Sequence, residues 1–334
     1  MSDLAVYVDV GLTAYRRATY ISEAIESVLA QTFDRWRLTV CDNGPGGGEI
    51  ERAIQPYLSD PRVVYLATTR DLTLAANWTN ALNQGTGPYV AVLNDDDRWH
   101  PDHLRARVDA LEAHPECGFA FSEWVQIDEH GDITTRAPIR FPEGVMPREV
   151  MARIFIGQNP VVPPAIVLRR SACNAVGAFF DDTWQYNDWE LWARLAARFP
   201  AFYLARQDND FRRHSTAYTY AESEPPEQLL AMFEHIEGLF AREIEGFRLG
   251  RMERARTRSR ILLRAAWSAH VGRGWTASGA AYRRALREYP PIVFTRISLR
   301  MLVKSLLGKR ASSVVARMLG ALRRDANPPS SLSA

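Results

Sequence analysis

Residues 4–42, LAVYVDVGLTAYRRATYISEAIESVLAQTFDRWRLTVCD, contain the alternation that decides the fold. The apolar run at 4–12 predicts a buried strand, residues 22–31 have the spacing of an amphipathic helix, and 35–42 predict a second buried strand. A crossover helix carries the chain back to the end of the sheet at which the first strand began. This order therefore predicts two parallel strands joined by a helix.

The same alternation continues toward the C-terminus. We predict further helices at 49–58, 73–84 and 100–115, and further strands at 62–68 and 88–95. A series of this kind indicates a parallel sheet with helices on both faces. In such sheets, ligands bind beyond the carboxyl ends of the strands.

The pattern changes after residue 117. We predict strands at 118–128, 133–142, 165–169 and 201–206, and helices at 147–156 and 187–198. From residue 226 the sequence predicts helices, which are interrupted at Pro290 and Pro291. We therefore expect an α/β domain with a mixed, mainly parallel sheet and a helical C-terminal extension. The predicted division is 1–225 (halves 1–117 and 118–225), 226–325, and a disordered tail at 326–334.

The composition is that of a globular protein with two regions of opposite charge. A hydrophobic content of 46% and three widely separated cysteines exclude a disordered chain and a disulfide scaffold, and they favour a reducing cytoplasm. No run reaches the roughly 18 apolar residues of a spanning helix, and we expect no secretory signal. Residues 251–324 hold 18 Lys and Arg but 2 Asp and Glu, whereas the rest of the chain holds 23 basic and 37 acidic residues.

Three consecutive aspartates, Asp95, Asp96 and Asp97, directly follow a predicted strand. Their mutual repulsion is offset when a divalent cation binds them, because such cations prefer carboxylate oxygens and share coordination with phosphates. The alternative interpretation is a solvated turn that caps the helix at 100–115. Asp42 ends another predicted strand, where its carboxylate can accept hydrogen bonds from a base or ribose; the glycines after it can also form a simple tight turn.

Two later segments contain further candidate residues. Asp188 opens the predicted helix at 187–198, either as an acid placed in a cleft or as a helix cap. His214 follows a predicted strand and belongs either to a site or to a surface loop. The chain has neither a GxGxxG run opening a helix nor a GxxxxGK[ST] loop, which excludes the ordinary dinucleotide and Walker phosphate sites.

These segments together resemble the family 2 glycosyltransferases of the GT-A fold over roughly residues 5–220. The similar stretches are VGLTAYRRATYISEAIESVLAQTFDRWRLTVCDNG (10–44), NWTNALNQGTGPYVAVLNDDDRWHPDHL (77–104) and AIVLRRSACNAVGAFFDDTWQYNDWELWARLA (165–196). Their order and spacing carry the resemblance. Asn94 stands where many members have the first Asp of the Asp-x-Asp motif.

The resemblance implies a role for each matching residue. Asp188 matches the catalytic base. The implied metal ligands for Mg²⁺ or Mn²⁺ are Asp97, Asp96 and His214. The implied nucleotide-binding residues are Thr13, Ala14, Tyr15, Arg17, Asp42, Asn77, Asp95 and Asp96.

The activity implied is a metal-dependent, inverting, hexosyltransferase-like transfer from a nucleotide-sugar donor to a sugar, lipid-linked or small-molecule acceptor. A UDP- or dTDP-sugar is favoured, because Asp42 can accept a hydrogen bond from the N3–H of a pyrimidine; a GDP-sugar stays open. Members of the family often build cell-surface polysaccharides, glycolipids or glycosylated natural products. The alternatives are a non-catalytic sugar-nucleotide-binding protein and a nucleic-acid-binding protein; the basic region has no nucleic-acid motif, and we expect no nucleic-acid partner.

The basic C-terminal region admits two interpretations. Residues 292–324 carry 8 Lys and Arg and no acid, with a predicted apolar stripe of Ile297, Met301, Leu302, Ser305 and Leu306. Such a helix can lie on an anionic membrane, which would place the protein at the inner face of the plasma membrane. It can equally pack on the catalytic domain or on a second subunit of a homodimer.

Overall fold

The structure, a computed structural model, describes residues 7–177, 179, 186–214, 225–273, 275–299 and 301, with the main chain only at 270–273 and 275–277. The chain divides into two compact units, Met1–Ala221 with Met232–Arg248 and Glu222–Ala231 with Leu249–Ala334. The division of the chain by function stays a prediction, and the tail predicted at 326–334 lies outside the described residues.

The described strands of the first unit form one mixed, mainly parallel sheet, as predicted. They are β1 Val8–Ala14, β2 Trp36–Asp42, β3 Val63–Ala67, β4 Tyr89–Asn94, β5 Arg98–Trp99, β6 Phe119–Ile127, β7 Ile133–Arg136, β8 Gly144–Met146, β9 Ile166–Arg169 and β10 Ala201–Arg212. The order is β3-β2-β1-β4-β9-β6-β10-β5, with β7 beside β6 and β8 beside β10. Strands β1 to β4 are parallel, β9 is antiparallel to β4 and β6, and β10 is parallel to β6.

Helices flank this sheet and make up most of the described second unit. They are α1 Ile21–Leu29, α2 Glu49–Ile54, α3 Leu74–Leu82, α4 His103–Ala113, α5 Arg148–Phe155, α6 Arg170–Val176, α7 Asn187–Arg198, α8 Pro226–Glu243, α9 Arg251–Arg273 and α10 Trp275–Glu288. Strands β5 and β8 were not predicted because two or three residues are too few to show a period. Helix α4 begins later than predicted, and Asp102 is its N-cap residue. The interpretation of the three aspartates as its cap is therefore wrong.

The core lies between the sheet and its helices. Strand β1 is buried along its whole length, as expected for a central parallel strand, and α1 packs against the sheet through Ile21, Ala24, Ile25 and Val28 at helical spacing. Helix α3 approaches β1 so closely that a Cβ on Gly11 would lie 2.5 Å from the carbonyl oxygen of Ala81. Only glycine permits this contact, which positions α3 against the sheet.

Helix α3 begins with a side-chain cap. Thr73 Oγ1 accepts a hydrogen bond of 3.2 Å from the backbone N–H of Ala76. We expect Thr73→Ala to lower the free energy of unfolding by about 0.5–2 kcal/mol, because one backbone donor loses its partner. Thr73→Ser, which keeps the hydroxyl, is expected to retain most of the stability. Urea titrations followed by circular dichroism measure the difference, and equal midpoints for Thr73→Ala and the unaltered protein would contradict it.

A buried ion pair attaches β10 to α4. Arg107 Nη1 and Nη2 donate to the two carboxylate oxygens of Asp208 at 2.9 and 2.8 Å, and Nη2 also donates to Ser122 Oγ at 2.6 Å. Burial alone would raise the pKa of Asp208, but the charge of Arg107 and the hydrogen bonds from His103 and Arg107 hold that pKa well below its ordinary value. Asp208 is therefore ionised at neutral pH, and the pair fixes the strand that leads to His214.

In the second unit, α9 and α10 form a helical hairpin. Ser259 Oγ on α9 donates to the carbonyl of Ala285 on α10 at 2.7 Å, and Arg258 forms an ion pair of 2.8 Å with Glu288. A 3-10 turn at Pro290–Phe294 follows α10, where the sequence predicted a break. None of the helices that the structure describes combines the length and apolar character that crossing a bilayer requires.

Two members of the predicted apolar stripe of the C-terminal region lie among the described residues, and they differ in exposure. Ile297 is 40% exposed, but Met301 is fully buried. The remaining members, Leu302, Ser305 and Leu306, lie outside the described residues. Binding of this region to a membrane surface stays a prediction.

Candidate active site

The carboxyl ends of three parallel strands meet at one edge of the sheet. In the register, Thr13 of β1 lies opposite Cys41 of β2 and Asn94 of β4. The segments that follow these strands are joined by backbone hydrogen bonds, from Asp95 N to Thr13 O at 3.1 Å and from Asn43 N to Ala14 O at 2.9 Å. The structure thus brings the predicted residues of the three strand ends together. We call residues 95–97 the acidic loop.

The first residue of the acidic loop faces the end of β1. Asp95 Oδ2 accepts a hydrogen bond of 3.5 Å from the backbone N–H of Tyr15, and Asp95 Oδ1 lies 3.8 Å from Arg17 Nη2. Burial, followed by the charge of Asp96, raises the pKa of Asp95 to about 7, although Arg17 opposes the shift. Asp95 therefore depends on Arg17 as its counter-charge.

The second residue is the member of the loop that meets His214. Asp96 Oδ2 lies 3.0 Å from His214 Nε2 and 3.1 Å from Arg17 Nη2, and the residue is half-buried. Asp96 and His214 are separated by 118 positions in the chain, yet β4 and β10 end close enough for the two side chains to touch. A carboxylate oxygen and an imidazole nitrogen are thereby placed side by side.

The third residue, Asp97, joins the acidic loop to the ends of β4 and β10. Asp97 is 1% exposed, and its oxygens accept hydrogen bonds of 2.9 Å from the backbone N–H of Arg212 and from Asn94 Nδ2. Burial, and then the charge of Asp96, raises the pKa of Asp97 well above its ordinary value. Both oxygens are thus bound within the protein, and the role of Asp97 as a metal ligand stays a prediction. Asn94, which the sequence analysis noted only as a departure, supplies one of the two donors.

The donor set of Asp96 and His214 fits a hard divalent cation that is shared with phosphate. Magnesium and similar ions in phosphate-transfer sites are held by one or two carboxylates together with substrate phosphates rather than by a cage of protein ligands, and histidine is a common metal ligand. Within the described ranges, no three His, Cys, Asp or Glu side chains form a ligand group. A cation on this pair would therefore take its further ligands from a diphosphate and water.

A second group of predicted residues lies at the end of β2. Asp42 is 5% exposed, and its Oδ2 accepts a hydrogen bond of 2.7 Å from Tyr65 Oη. Burial raises the pKa of Asp42, against the lowering effect of the Tyr65 hydrogen bond. Asn43 exchanges two hydrogen bonds with the backbone of Leu72, of 2.9 and 2.6 Å, which joins the end of β2 to the segment before α3.

An exposed aromatic ring marks the loop after β1. Tyr15 is 43% exposed, and the Arg16 guanidinium lies 4.8 Å from the centre of its ring. The backbone of Arg16 has a φ of 59°, which is unusual for a residue other than glycine. The Arg16 side chain forms an ion pair of 2.5 Å with Asp71. The ion pair joins the loop after β1 to the segment before α3, and the Tyr15 ring stays accessible for stacking.

Asn77 stands apart from this group. It lies on α3, is 3% exposed, and its Oδ1 has no hydrogen-bond partner among the described residues. No hydrogen bond within the described part of the chain joins it to Asp42 or to the acidic loop. Its role in nucleotide binding stays a prediction.

The predicted base, Asp188, is held by two hydrogen bonds at the start of α7. Its Oδ2 accepts from Asn159 Nδ2 at 2.7 Å, and its Oδ1 accepts from the backbone N–H of Trp189 at 2.8 Å. Asn159 also accepts a hydrogen bond of 3.3 Å from Val161 N. The sequence analysis missed Asn159, because an Asn-Pro pair by itself indicates only a turn.

The segment that orients Asp188 is attached to the acidic loop. Trp99, two residues after Asp97, donates a hydrogen bond of 2.7 Å from its indole nitrogen to the carbonyl of Pro164. Pro164 lies five residues after Asn159, the partner of Asp188. The strand that leaves the acidic loop therefore also fixes the segment that holds the predicted base.

Glu190, the nearest other acid on α7, is a structural residue. It is 1% exposed, and its two oxygens accept hydrogen bonds of 2.9 and 2.8 Å from Arg194 Nε. Its Oε1 also lies 3.3 Å from His235 Nε2. Glu190 thus forms a buried ion pair with Arg194, and the role of Asp188 as the base stays a prediction.

The chain is similar to known glycosyltransferases in sequence and in fold. The sequence model described as Glycosyl transferase family 2 matches residues 9–177. The chain is 29% identical to Protein CgeD of Bacillus subtilis over 56% of its length and 46% of that protein, so it matches less than half of this relative. It is 28% identical to the Putative glycosyltransferase EpsE of the same organism, over 64% of the chain and 77% of that protein. Among solved structures, S. aureus TarS 1-349 in complex with UDP-GlcNAc shares the fold with a TM-score of 0.59 and 15% identity, over 87% of this chain and 82% of that one.

Proposed function

The chain belongs to glycosyl transferase family 2, and we propose that it moves a sugar from a nucleotide-diphosphate donor to an acceptor hydroxyl with inversion at the sugar carbon. The observation that carries this proposal is the Asp96–His214 pair at the carboxyl edge of the sheet. It lies at the same edge of the sheet as Asp42, with β1 between the ends of β2 and β4, and ligands of such sheets bind at this edge. The fold shared with TarS, which was solved with UDP-GlcNAc, supports a nucleotide-sugar donor.

In this proposal, Asp96 and His214 hold Mg²⁺ or Mn²⁺. When bound, the ion neutralises the charge that grows on the departing diphosphate. Arg17 lies 3.1 Å from Asp96 and adds a second positive charge at the same place. Asp97 and Asn94 keep the acidic loop in shape, so the loop need not rearrange when the donor binds.

Asp188 is proposed to remove the proton from the acceptor hydroxyl, which is a weak nucleophile until it is deprotonated. Asn159 and the N–H of Trp189 both donate to the carboxylate, and these hydrogen bonds fix its orientation. As Asp188 takes its proton, the acceptor oxygen attacks the sugar carbon and the bond from that carbon to the diphosphate oxygen breaks; no second carboxylate is assigned as a covalent nucleophile. Inversion follows from that single displacement.

The proposed donor is a UDP- or dTDP-sugar. The carboxylate of Asp42 accepts the N3–H of a uracil or thymine, and the ring of Tyr15 stacks on the base. Following the resemblance, we propose a carbohydrate acceptor in polysaccharide biosynthesis, reached from the cytoplasmic side of the membrane.

The contribution of Asp42 to donor binding can be measured directly. We expect Asp42→Ala to weaken UDP binding about 10- to 100-fold, because a hydrogen bond to a charged group contributes about 1.5–3 kcal/mol. Turnover at saturating donor should fall much less. Isothermal titration with UDP is the measurement, and Asp60→Ala is the control, since Asp60 pairs with Arg62 before β3 begins. Equal UDP affinity in Asp42→Ala and the unaltered protein would remove Asp42 from the site.

A nucleotide-release assay, together with binding measurements for UDP and for RNA or DNA, separates the proposed enzyme from the two alternatives. The protein is incubated with UDP- and dTDP-sugars, with Mn²⁺, Mg²⁺ or EDTA, and nucleotide release is followed. Release that requires a divalent ion supports the transferase. Tight UDP binding without release under any of these conditions would favour a non-catalytic sugar-nucleotide-binding protein. Salt-dependent binding of RNA or DNA without UDP binding would favour a nucleic-acid-binding protein.

A further inference from the structure

Arg212, the last residue of β10, holds the acidic loop at two points. Its backbone N–H donates to Asp97 Oδ1 at 2.9 Å, and its side-chain Nε donates to the carbonyl oxygen of Asp96 at 2.9 Å. The first bond holds the Asp97 side chain, and the second holds the carbonyl of the Asp96–Asp97 peptide group. The direction in which the Asp96 carboxylate leaves the loop is therefore set in part by Arg212.

The rest of the Arg212 guanidinium is bound to two other segments. Nη1 donates to the carbonyl of Asp128, in the turn after β6, at 3.1 Å, and Nη2 donates to Glu23 Oε2 on α1 at 2.6 Å. The side chain is 1% exposed. A planar guanidinium is the side chain that can satisfy three acceptors in fixed directions, and lysine cannot reproduce this fork.

The same side chain reaches the other proposed metal ligand through a tyrosine. The guanidinium of Arg212 lies 4.3 Å from the centre of the Tyr20 ring, and the Tyr20 and His214 rings are 5.2 Å apart. Tyr20 thus packs against both Arg212 and His214. The orientation of the His214 imidazole and the position of the acidic loop therefore both depend on the packing of Arg212 with Tyr20.

We propose that Arg212 and Tyr20 form a clamp that holds Asp96 and His214 in the geometry needed to bind the divalent cation. Arg212 acts on Asp96 through its carbonyl, and Tyr20 acts on His214 through ring packing. Both are positioning residues, because neither is proposed to touch the ion or the donor. The inference rests on the proposed function, since it assigns a supporting role to residues beside the proposed metal ligands.

Manganese binding in the presence of saturating UDP tests the clamp. Free Mn²⁺ is measured by electron paramagnetic resonance for the unaltered protein and for Arg212→Lys, at a temperature where circular dichroism shows both to be folded. Loss of a residue that orients metal ligands typically costs about 10- to 100-fold in metal affinity, and we expect Arg212→Lys to show this loss. Turnover of Arg212→Lys should recover at saturating Mn²⁺, which would not happen if the variant were merely damaged.

Arg98→Lys is the matched control. Arg98 Nη1 donates to the same oxygen of Glu23, at 3.1 Å, and Arg98 Nε donates to Asp210 at 2.6 Å. Neither bond supports the Asp96 carbonyl or Tyr20. We expect Arg98→Lys to bind Mn²⁺ as the unaltered protein does; an equal loss in Arg98→Lys would overturn the clamp and assign the effect to Glu23.

A pair of variants at Tyr20 decides the question if Arg212→Lys does not fold. Tyr20→Phe keeps the ring and should retain Mn²⁺ affinity, whereas Tyr20→Ala should lower it. Unchanged affinity in folded Arg212→Lys, or in Tyr20→Ala, would overturn the clamp while leaving the metal proposal intact. Failure of the unaltered protein to bind Mn²⁺ with UDP would instead contradict the proposed metal site, and the clamp with it.

Discussion

Asp188→Asn is expected to lower turnover by at least about 10²-fold, the range in which a positioned general base contributes. The amide keeps the size of the carboxylate and an oxygen for Asn159 Nδ2, whose bond to Asp188 is 2.7 Å, but it cannot take a proton from the acceptor. Donor binding should therefore survive. Steady-state kinetics with saturating UDP-sugar, together with isothermal titration of UDP, separate the two effects.

Glu190→Gln is the control for this experiment. Glu190 lies on the same helix and forms the buried ion pair with Arg194, so its substitution is expected to lower the thermal midpoint while the folded protein keeps its turnover. An inactive Glu190→Gln beside an active Asp188→Asn would reverse the assignment of the base. An equal loss of donor affinity in Asp188→Asn would show that Asp188 binds the donor.

Asp96→Asn is expected to abolish metal-dependent transfer. A metal at a departing diphosphate supplies several kcal/mol of transition-state stabilisation, and each ~1.4 kcal/mol is tenfold, so the loss should be at least about 10²-fold. Mn²⁺-dependent enhancement of UDP binding should disappear with it. Titration of UDP with and without Mn²⁺ measures this, in parallel with turnover.

Two other aspartates of the same segment make the prediction specific. Asp102→Asn alters an exposed residue that accepts a hydrogen bond from Thr32, and it should behave as the unaltered protein does. Asp97→Asn should lower thermal stability, because the Asp97 carboxylate accepts two hydrogen bonds, from Asn94 and from the backbone of Arg212. Loss of Mn²⁺ binding in Asp97→Asn at unchanged stability, with Asp96→Asn unaffected, would make Asp97 rather than Asp96 the metal ligand.

The order of the elements could be predicted from the sequence because its signals are local. The βα alternation up to residue 115 follows from runs of neighbouring residues, and the helix predicted at 187–198 matches α7 at both ends. The position of Asp42 and of the acidic loop at one sheet edge follows from the same alternation, since parallel strands align their carboxyl ends. The short strands β5 and β8 were not predicted, because they form by pairing with β10 and are too short to show an alternating hydrophobic pattern.

The sequence by itself thus determined the fold class, the family and the edge of the sheet at which the acids gather. Only the tertiary structure decided which groups each acid contacts, because those partners lie far away in the chain. Asp96 meets His214 across 118 positions, Asp97 is bound by the backbone of Arg212 across 115, and Asp188 is oriented by Asn159 across 29. The periodicity of neighbouring residues contains no record of such contacts, which exist only once the strands have been placed side by side.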